Sequence, residues 1–241
     1  MVLSIHTIQD SSLMTTPATH DMLLSTPVFQ GMAEKDLQEI VAQTKLGFEK
    51  YDFPQVIHQQ GQRCEKLTYL MSGKIAVTTT ASKNKYAIIE DISAPCFIEP
   101  ERLFGIDNKW SRTVSALSSC NVLTLDKNEV LRLTAGYTVF RLNLLNIIST
   151  MAQRAKQNVL MSQSLDFRQR FARFITERCT VPYGTKHLRI NRKNLTEELN
   201  QGLQTLTADL YELQAQGLIN IRRGDYHIPD LEKLREAEPN K

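Results

Sequence analysis

The feature that most constrains the fold is the stretch 131–162, which carries neither Gly nor Pro after Gly136. Apolar residues recur there at every third or fourth position, the spacing of one apolar stripe along a helix. At about 1.5 Å per residue the helix would be roughly 35 Å long, longer than most helices of compact domains. Such a stripe favours packing against a second copy of the chain, with burial inside one subunit as the alternative. The predicted dimer stripe is Leu144, Ile148, Met151, Ala155 and Val159.

Composition narrows the class of protein. A chain of 241 residues with 41% hydrophobic residues suits two modest globular domains. The net charge of +3 permits a nucleic-acid partner without requiring one. No stretch is long and apolar enough to span a membrane, and residues 1–20 lack a secretory signal and are expected to form a mobile tail. The cysteines are too widely spaced for a zinc site or a disulfide framework, so we expect a cytoplasmic protein.

The N-terminal half is rich in short runs of β-forming residues. After a predicted helix over 34–42, these runs are separated by Gly and by polar turn clusters, which is typical of a small antiparallel barrel or roll. The predicted strands are Val56–His58, Leu67–Met71, Ile75–Thr78, Tyr86–Ile89 and Val122–Leu125.

The C-terminal half has a different pattern. Asp166 is suited to cap a helix over 166–179 that has a Phe-rich face. A short strand over 188–190 is followed by helices over 194–200 and 204–216, and Gly217 suits the end of the second helix. A β-hairpin is predicted after Gly217. Two short helices with a tight turn and a following hairpin predict a winged helix-turn-helix.

Several segments in this order resemble the catabolite activator (Crp/Fnr) family of transcription regulators. They are 56–61, 67–77, 97–104, 116–120, the long helix, and 210–219. The resemblance implies an α+β fold with an N-terminal β-roll (a jelly roll of the cyclic-nucleotide-binding kind), a long dimerisation helix and a C-terminal winged helix-turn-helix. The implied divisions are a tail over 1–20, a sensor β-roll over 21–130, the dimer helix and hinge over 131–165, and a DNA-binding domain over 166–241.

The resemblance also points to an altered effector pocket. Cyclic-nucleotide-binding members hold the phosphate and ribose with a Gly-Glu pair at a helix start and a following Arg. Gapless alignment puts Glu99 at the Gly and Pro100, which has no N–H, at the Glu. We therefore expect an unidentified effector other than cyclic AMP, anchored by Arg102 or Arg112, or else only a solvated turn. The candidate pocket residues are Phe97, Glu99, Glu101, Arg102 and Arg112.

The second helix of the motif is expected to lie in the major groove of double-stranded DNA. Its candidate base-contacting residues are Leu203, Gln204, Thr205, Thr207 and Ala208. Candidate phosphate contacts are Arg189, Arg192 and Lys193 before the first helix, and Arg222 and Arg223 at the wing. Better-known members of the family carry Arg, Glu and Arg on this helix, where this sequence has Leu203, Gln204 and Ala208. This difference predicts a modest readout that favours A·T pairs, with affinity resting on phosphates. The alternative is a scaffold that has lost DNA binding.

These features together predict a homodimeric, sequence-specific DNA-binding transcription regulator that senses an unidentified effector, with RNA polymerase as a further partner implied by the resemblance. One alternative is a signal-binding dimer that acts through a protein partner without DNA. Another is a haem-based gas or redox sensor of the same family, with no cofactor assigned. An iron–sulfur sensor is disfavoured because no cysteine precedes Cys64. No glycine-rich phosphate loop, metal-ligand cluster or catalytic constellation indicates an enzyme.

Overall fold

The computed structural model of the protein describes residues 22–157 and 166–236. Residues 22–25 are helical and precede a 3-10 turn at Pro27–Phe29. The helices that follow are α1 (Glu34–Gln43), α2 (Lys127–Gly136), α3 (Thr138–Gln157), α4 (Phe167–Thr176), α5 (Arg192–Leu199), α6 (Leu203–Ala215) and α7 (Leu231–Glu236). The strands are β1 (Leu46–Tyr51), β2 (Val56–His58), β3 (Lys66–Ser72), β4 (Lys74–Thr80), β5 (Tyr86–Ser93), β6 (Cys96–Ile98), β7 (Thr113–Ala116), β8 (Cys120–Asp126), β9 (Lys186–Ile190), β10 (Asn220–Arg222) and β11 (Asp225–Ile228).

Two antiparallel sheets form the body of the molecule. One has the order β1-β8-β3-β6, and the other has the order β10-β11-β9-β5-β4-β7-β2. Inward-facing side chains of β3, β4, β7 and β8 form the core of the N-terminal domain (residues 22–130). The predicted β-roll is confirmed, and β1, β6 and β7 were not predicted because their runs are short or interrupted.

Gly73 fixes the tight turn between β3 and β4. Its φ of +99° lies in the region that glycine tolerates best. A Cβ built at this position would lie 2.4 Å from the carbonyl oxygen of Ser119 and 2.8 Å from the Sγ of Cys120. Any side chain here would therefore displace the backbone that leads into β8.

The helical stretch after the roll is broken where the sequence predicted, since α2 ends at Gly136 and α3 starts at Thr138. One face of α3 packs on its own subunit: Phe140 is fully buried beside Phe29, with ring centroids 5.4 Å apart, and Leu144 is 4% exposed. Positions 142 and 145 lie on another face, where both leucines are 53% exposed.

The buried face of α3 includes residues that the sequence predicts at the dimer contact. Residues at i, i+4 and i+8 share one helix face, so Leu144 and Ile148 follow Phe140 onto the intrachain core. Met151 is half-buried. The side chain of Ala155 and the whole of Val159 lie outside the described residues, as does the predicted hinge over 163–165.

The C-terminal domain (residues 166–236) is a winged helix-turn-helix, as predicted. Asp166 caps α4 and forms a capping box with Gln169, which satisfies backbone N–H groups of the first turn. Asn191 caps α5 by accepting from the N–H of Asn194. Helix α5 therefore begins at Arg192, earlier than predicted, so Arg192 and Lys193 lie in its first turn and not before it. Helix α7 was not predicted.

The larger sheet joins the two domains. Strand β5 pairs with β9 from Tyr86–Ile190 to Glu90–Lys186. Ile88 on β5 is fully buried and belongs to the hydrophobic core of the C-terminal domain. The predicted division of the chain assigns β5 to a separate sensor domain, whereas residues 86–90 of β5 pair with a strand of the C-terminal domain.

Candidate nucleic-acid interface and effector pocket

The exposed side of α6 begins at its first residue. Leu203 is 55% exposed, and Gln204, Thr205 and Ala208 are also exposed. Leu206, Leu210 and Leu213 form the buried face of the same helix. The three- and four-residue spacing of these leucines keeps the opposite side free, so the candidate base-contacting residues project from a rigid helix.

Thr207 has a structural role as well. Its hydroxyl donates to the carbonyl of Leu203 at 2.7 Å and accepts from Nη1 of Arg192 at 3.1 Å. The guanidinium of Arg192 also lies over the ring of Tyr211, 5.8 Å from its centroid. Arg192 thus joins the two helices of the motif, which restricts its freedom to contact a phosphate.

The remaining predicted phosphate contacts are solvent-exposed. Lys193 lies in the first turn of α5, and Arg222 and Arg223 lie at the tip of the β10–β11 wing. Arg189 on β9 is largely exposed, with its Nε 3.9 Å from Asp225 Oδ2. The wing is attached to α6, because the N–H of Ile221 donates to Gln214 Oε1 at 3.0 Å.

An acidic residue on α6 is turned away from the exposed face. The carboxylate of Asp209 accepts a hydrogen bond from the amide of Gln201, which lies in the turn between α5 and α6. Gln201 in turn accepts from Nη2 of Arg170 at 2.7 Å. Asp209 therefore stabilises the turn, and its negative charge is partly compensated within the domain.

The candidate effector pocket is organised around Glu99, which is 3% exposed. Its backbone has φ +40° and ψ +52°, the left-handed conformation that glycine adopts most easily. The carboxylate accepts from Nη1 of Arg112 at 2.8 Å and from the N–H of Ser111 at 2.8 Å, and also from the hydroxyl of Ser111. The backbone turn typical of a glycine is thus retained, and the added side chain folds back onto the arginine.

The other predicted pocket residues are arranged differently. Arg112 points inward and is 18% exposed, whereas Arg102 pairs with the exposed Asp107 at 3.0 Å. Glu101 is exposed. Phe97 is half-buried against Tyr69, with ring centroids 4.7 Å apart. The structure therefore brings Glu99 and Arg112 together and leaves Glu101 exposed and Arg102 half-buried on the 3-10 turn Pro100–Arg102.

The groups that could bind an anion in this pocket already have a partner within the chain. The inward-pointing guanidinium and the Ser111 N–H already bind a carboxylate of the chain, and Pro100 supplies no N–H. An anionic ligand at this point would meet the buried negative charge of Glu99 in a low-dielectric environment. Arg112 and the Ser111 N–H, the two anion-binding groups at this point, are therefore both bound to Glu99.

Comparison with known families assigns both halves of the chain. The cyclic nucleotide-binding domain family matches residues 48–137, and the Crp-like helix-turn-helix domain family matches residues 169–237. The two matches together cover about two thirds of the chain. The chain belongs to the Crp/Fnr family. It is a Crp-like DNA-binding transcription regulator with a sensor domain of the cyclic-nucleotide-binding type.

Solved structures of Crp/Fnr proteins have similar folds at low sequence identity. The Thermus thermophilus catabolite activator protein is 16% identical, with a TM-score of 0.46 over 87% of this chain and 98% of that chain. DNR from Pseudomonas aeruginosa is 16% identical, with a TM-score of 0.45 over 93% and 99%. FixK2 from Bradyrhizobium japonicum is 13% identical, with a TM-score of 0.45 over 82% and 99%. The comparison with curated proteins found no match.

Two absences apply to the described part of this Crp/Fnr protein. Within residues 22–157 and 166–236, no helix is long and apolar enough to cross a membrane. The same residues contain no group of three or more His, Cys, Asp or Glu side chains arranged to hold a metal ion.

Three residues that join the two domains were not predicted from the sequence, namely Thr79, Glu90 and Arg178. Thr79 and Arg178 lie 99 positions apart and belong to different predicted domains, so no local pattern relates them. Glu90 does leave a signal. Strand alternation places it on the same face as the buried Ile88, and a carboxylate on an apolar strand face requires a buried partner.

Proposed function

We propose that this Crp/Fnr regulator acts as a homodimer that binds specific DNA sites through α6 and contacts phosphates through α5 and the wing. One observation carries the proposal: the exposed first turn of α6 is flanked by the exposed cations of Lys193 and of Arg222 and Arg223. Helix N-termini and basic side chains at these places suit phosphate oxygens on both sides of a major groove.

The base readout follows from the side chains at the start of α6. Gln204 can make a bidentate contact with adenine, and Leu203 and Ala208 can contact thymine methyl groups. No Arg or Lys is available on this helix to contact guanine in the same way. We expect selection from a random duplex library to return an A·T-leaning consensus, and a G-rich consensus would contradict the proposal.

Phosphate contacts are tested by the salt dependence of binding. Each lost contact should lower the slope of log K against log salt by about 0.9. The variant Arg222→Ala/Arg223→Ala should therefore weaken binding to all duplexes and flatten this slope by nearly 2. Lys35→Ala/Lys45→Ala removes two exposed lysines of the N-terminal domain and serves as the charge-matched control. Equal slopes for the two variants would contradict phosphate contacts at the wing, and no binding of the natural chain to any duplex would favour a protein that acts without DNA.

The proposed dimer uses the exposed face of α3. Val139, Leu142 and Leu145 lie on this face, and together they form an exposed apolar row on α3. A self-complementary apolar face on a long helix is the usual basis of a symmetric dimer. The shifted face keeps the predicted dimer helix and replaces Leu144 and Ile148 as its contact residues.

We propose that the effector is not a cyclic nucleotide, because the Glu99 carboxylate already accepts hydrogen bonds from Arg112 and from the Ser111 N–H. Calorimetry with cyclic AMP and with cyclic GMP should show no binding in the micromolar range. Micromolar affinity for either nucleotide would refute this part of the proposal. The variant Glu99→Gly restores a glycine at φ +40° and frees Arg112, so it should bind cyclic AMP more tightly than the natural chain does.

A further inference from the structure

The C-terminal domain is held to the N-terminal domain by a buried ion pair at the end of the β5–β9 pairing. Glu90 Oε2 lies 3.2 Å from Lys186 Nζ, and both side chains are fully buried. The Glu90 carboxylate also accepts from the N–H groups of Thr180 at 2.7 Å and Val181 at 3.2 Å. Lys186 donates further to the carbonyl of Tyr183 at 2.8 Å. These bonds define the register in which the two domains meet.

A second set of contacts starts in the candidate effector pocket and reaches the same junction. Nη1 of Arg112 donates to Glu99, and Nε of Arg112 donates to the hydroxyl of Thr79 at 2.9 Å. The Thr79 hydroxyl donates to the carbonyl of Arg178 at 3.2 Å. One hydroxyl therefore accepts from the pocket and donates to the C-terminal domain, and each bond polarises the other.

Arg178 extends these contacts to the helix-turn-helix. Its guanidinium lies 4.1 Å from the ring centroid of Phe174 and donates to the hydroxyl of Tyr86 at 2.7 Å. Its Nη2 donates to Glu198 on α5 at 3.4 Å. The polar path thus runs from Glu99 through Arg112, Thr79 and Arg178 to the first helix of the motif.

We propose that Thr79 is a positioning residue for DNA binding, which links the position of the Arg112 guanidinium to the position of the helix-turn-helix on the N-terminal domain. This inference rests on the proposed DNA-binding function. The hydroxyl is the direct side-chain connection between Arg112 and the C-terminal domain within the described residues. A change at Glu99 that moves Arg112 would be transmitted to α5 through Thr79. The buried Glu90–Lys186 pair would limit how far the two domains move relative to each other.

The test is a double-mutant cycle of Arg112→Gln and Thr79→Val, with Thr79→Ser and Thr78→Val as controls. Valine preserves the shape of threonine and removes its hydroxyl, whereas serine retains the hydroxyl. Thr78 is the neighbouring residue on β4, and its hydroxyl is not part of the path. DNA affinity is measured by fluorescence anisotropy on a duplex selected from a random library, and the thermal midpoint of each variant confirms that it is folded.

We expect Arg112→Gln and Thr79→Val each to change DNA affinity by about five-fold or more, and the double variant to resemble the singles. Thr79→Ser and Thr78→Val should bind like the natural chain. Independent, multiplying effects of the two substitutions would overturn the proposal, as would loss of affinity in Thr78→Val equal to that in Thr79→Val.

Hydrogen exchange separates this inference from the proposed function. Thr79→Val and Arg112→Gln should speed amide exchange in β9, and Thr79→Ser should not, whether or not DNA is bound. If the natural chain binds no duplex, the DNA-binding function fails while the exchange result still judges the link. Unchanged exchange of β9 in both variants would overturn the link even if DNA binding is intact.

Discussion

Breaking the buried pair between Glu90 and Lys186 should have a large effect on stability. Lys186→Met removes the counter-charge, which leaves the Glu90 carboxylate fully buried among neutral partners, including the N–H groups of Thr180 and Val181. Removing one partner of a buried ion pair typically costs about 3–5 kcal/mol. Glu90→Gln strands the ammonium of Lys186 on the carbonyl of Tyr183 and should cost a similar amount.

The double variant Glu90→Gln/Lys186→Met distinguishes a paired charge from two independent losses. No unpaired charge remains in it, so its cost should fall below the sum of the singles by about 2 kcal/mol or more. For a chain of 241 residues, about 3 kcal/mol corresponds to a fall of roughly 6–12 °C in the thermal midpoint.

The assay is thermal and urea unfolding followed by circular dichroism, with Lys66→Met as a control. Lys66 pairs with Glu49 at 3.2 Å but is 46% exposed, so its loss should cost well under about 1 kcal/mol. The reasoning would be refuted if Lys186→Met were as mild as Lys66→Met. Additive costs in the double variant would equally show that the two charges do not depend on each other.

Three further outcomes are expected. Burial lowers the pKa of His58 to about 4 from a usual value of 6.5, so the unfolded chain takes up a proton at a higher pH than the folded chain does. The free energy of unfolding should therefore fall as pH drops from about 6.5 to about 4, by roughly 2 kcal/mol at pH 5. The urea midpoint of His58→Gln should depend less on pH in this window than that of the natural chain. Asp166→Ala removes the capping box of α4 and should cost about 1 kcal/mol, measured by the thermal midpoint, with Asp166→Asn nearly neutral. Leu142→Asp/Leu145→Asp should shift the protein from dimer to monomer in sedimentation equilibrium without lowering the thermal midpoint of the monomer, and an unchanged mass would count against the α3 interface.

Local patterns in the sequence were sufficient for much of the fold. The β-forming run of β3, the alternation in β4, the cap at Asp166 and the glycine at 217 are local signals of a few residues each. The structure has each of these elements where its signal predicts it. Helix α5 started earlier than predicted because the cap at Asn191 was not recognised.

The candidate pocket was only partly predictable. Gapless alignment with the family pattern predicts that Glu99 and Pro100 depart from it. The alignment does not predict that the Glu99 side chain turns back onto Arg112. That contact depends on the left-handed backbone at Glu99 and on the position of Arg112, which is 13 residues further along the chain.

The direction of α3 was also ambiguous from sequence. A helix with apolar residues on two faces has one stripe for its own core and another for solvent or a partner, and spacing alone does not assign them. Phe140 decides the matter, since its contact with Phe29 turns the face of Leu144 inward.

The shared sheet has a consequence for dissecting the protein into fragments. Expression of 166–236 alone would remove β5 and leave β9 as an edge strand with unpaired N–H and C=O groups and with Lys186 lacking its carboxylate. Exposed edges of this kind pair with other chains, and the fragment would also lose Ile88 from its core. We therefore expect the isolated fragment to aggregate or to exchange strands between copies. A graft of 74–93 onto the fragment, which returns the β4–β5 hairpin, should restore a monodisperse protein.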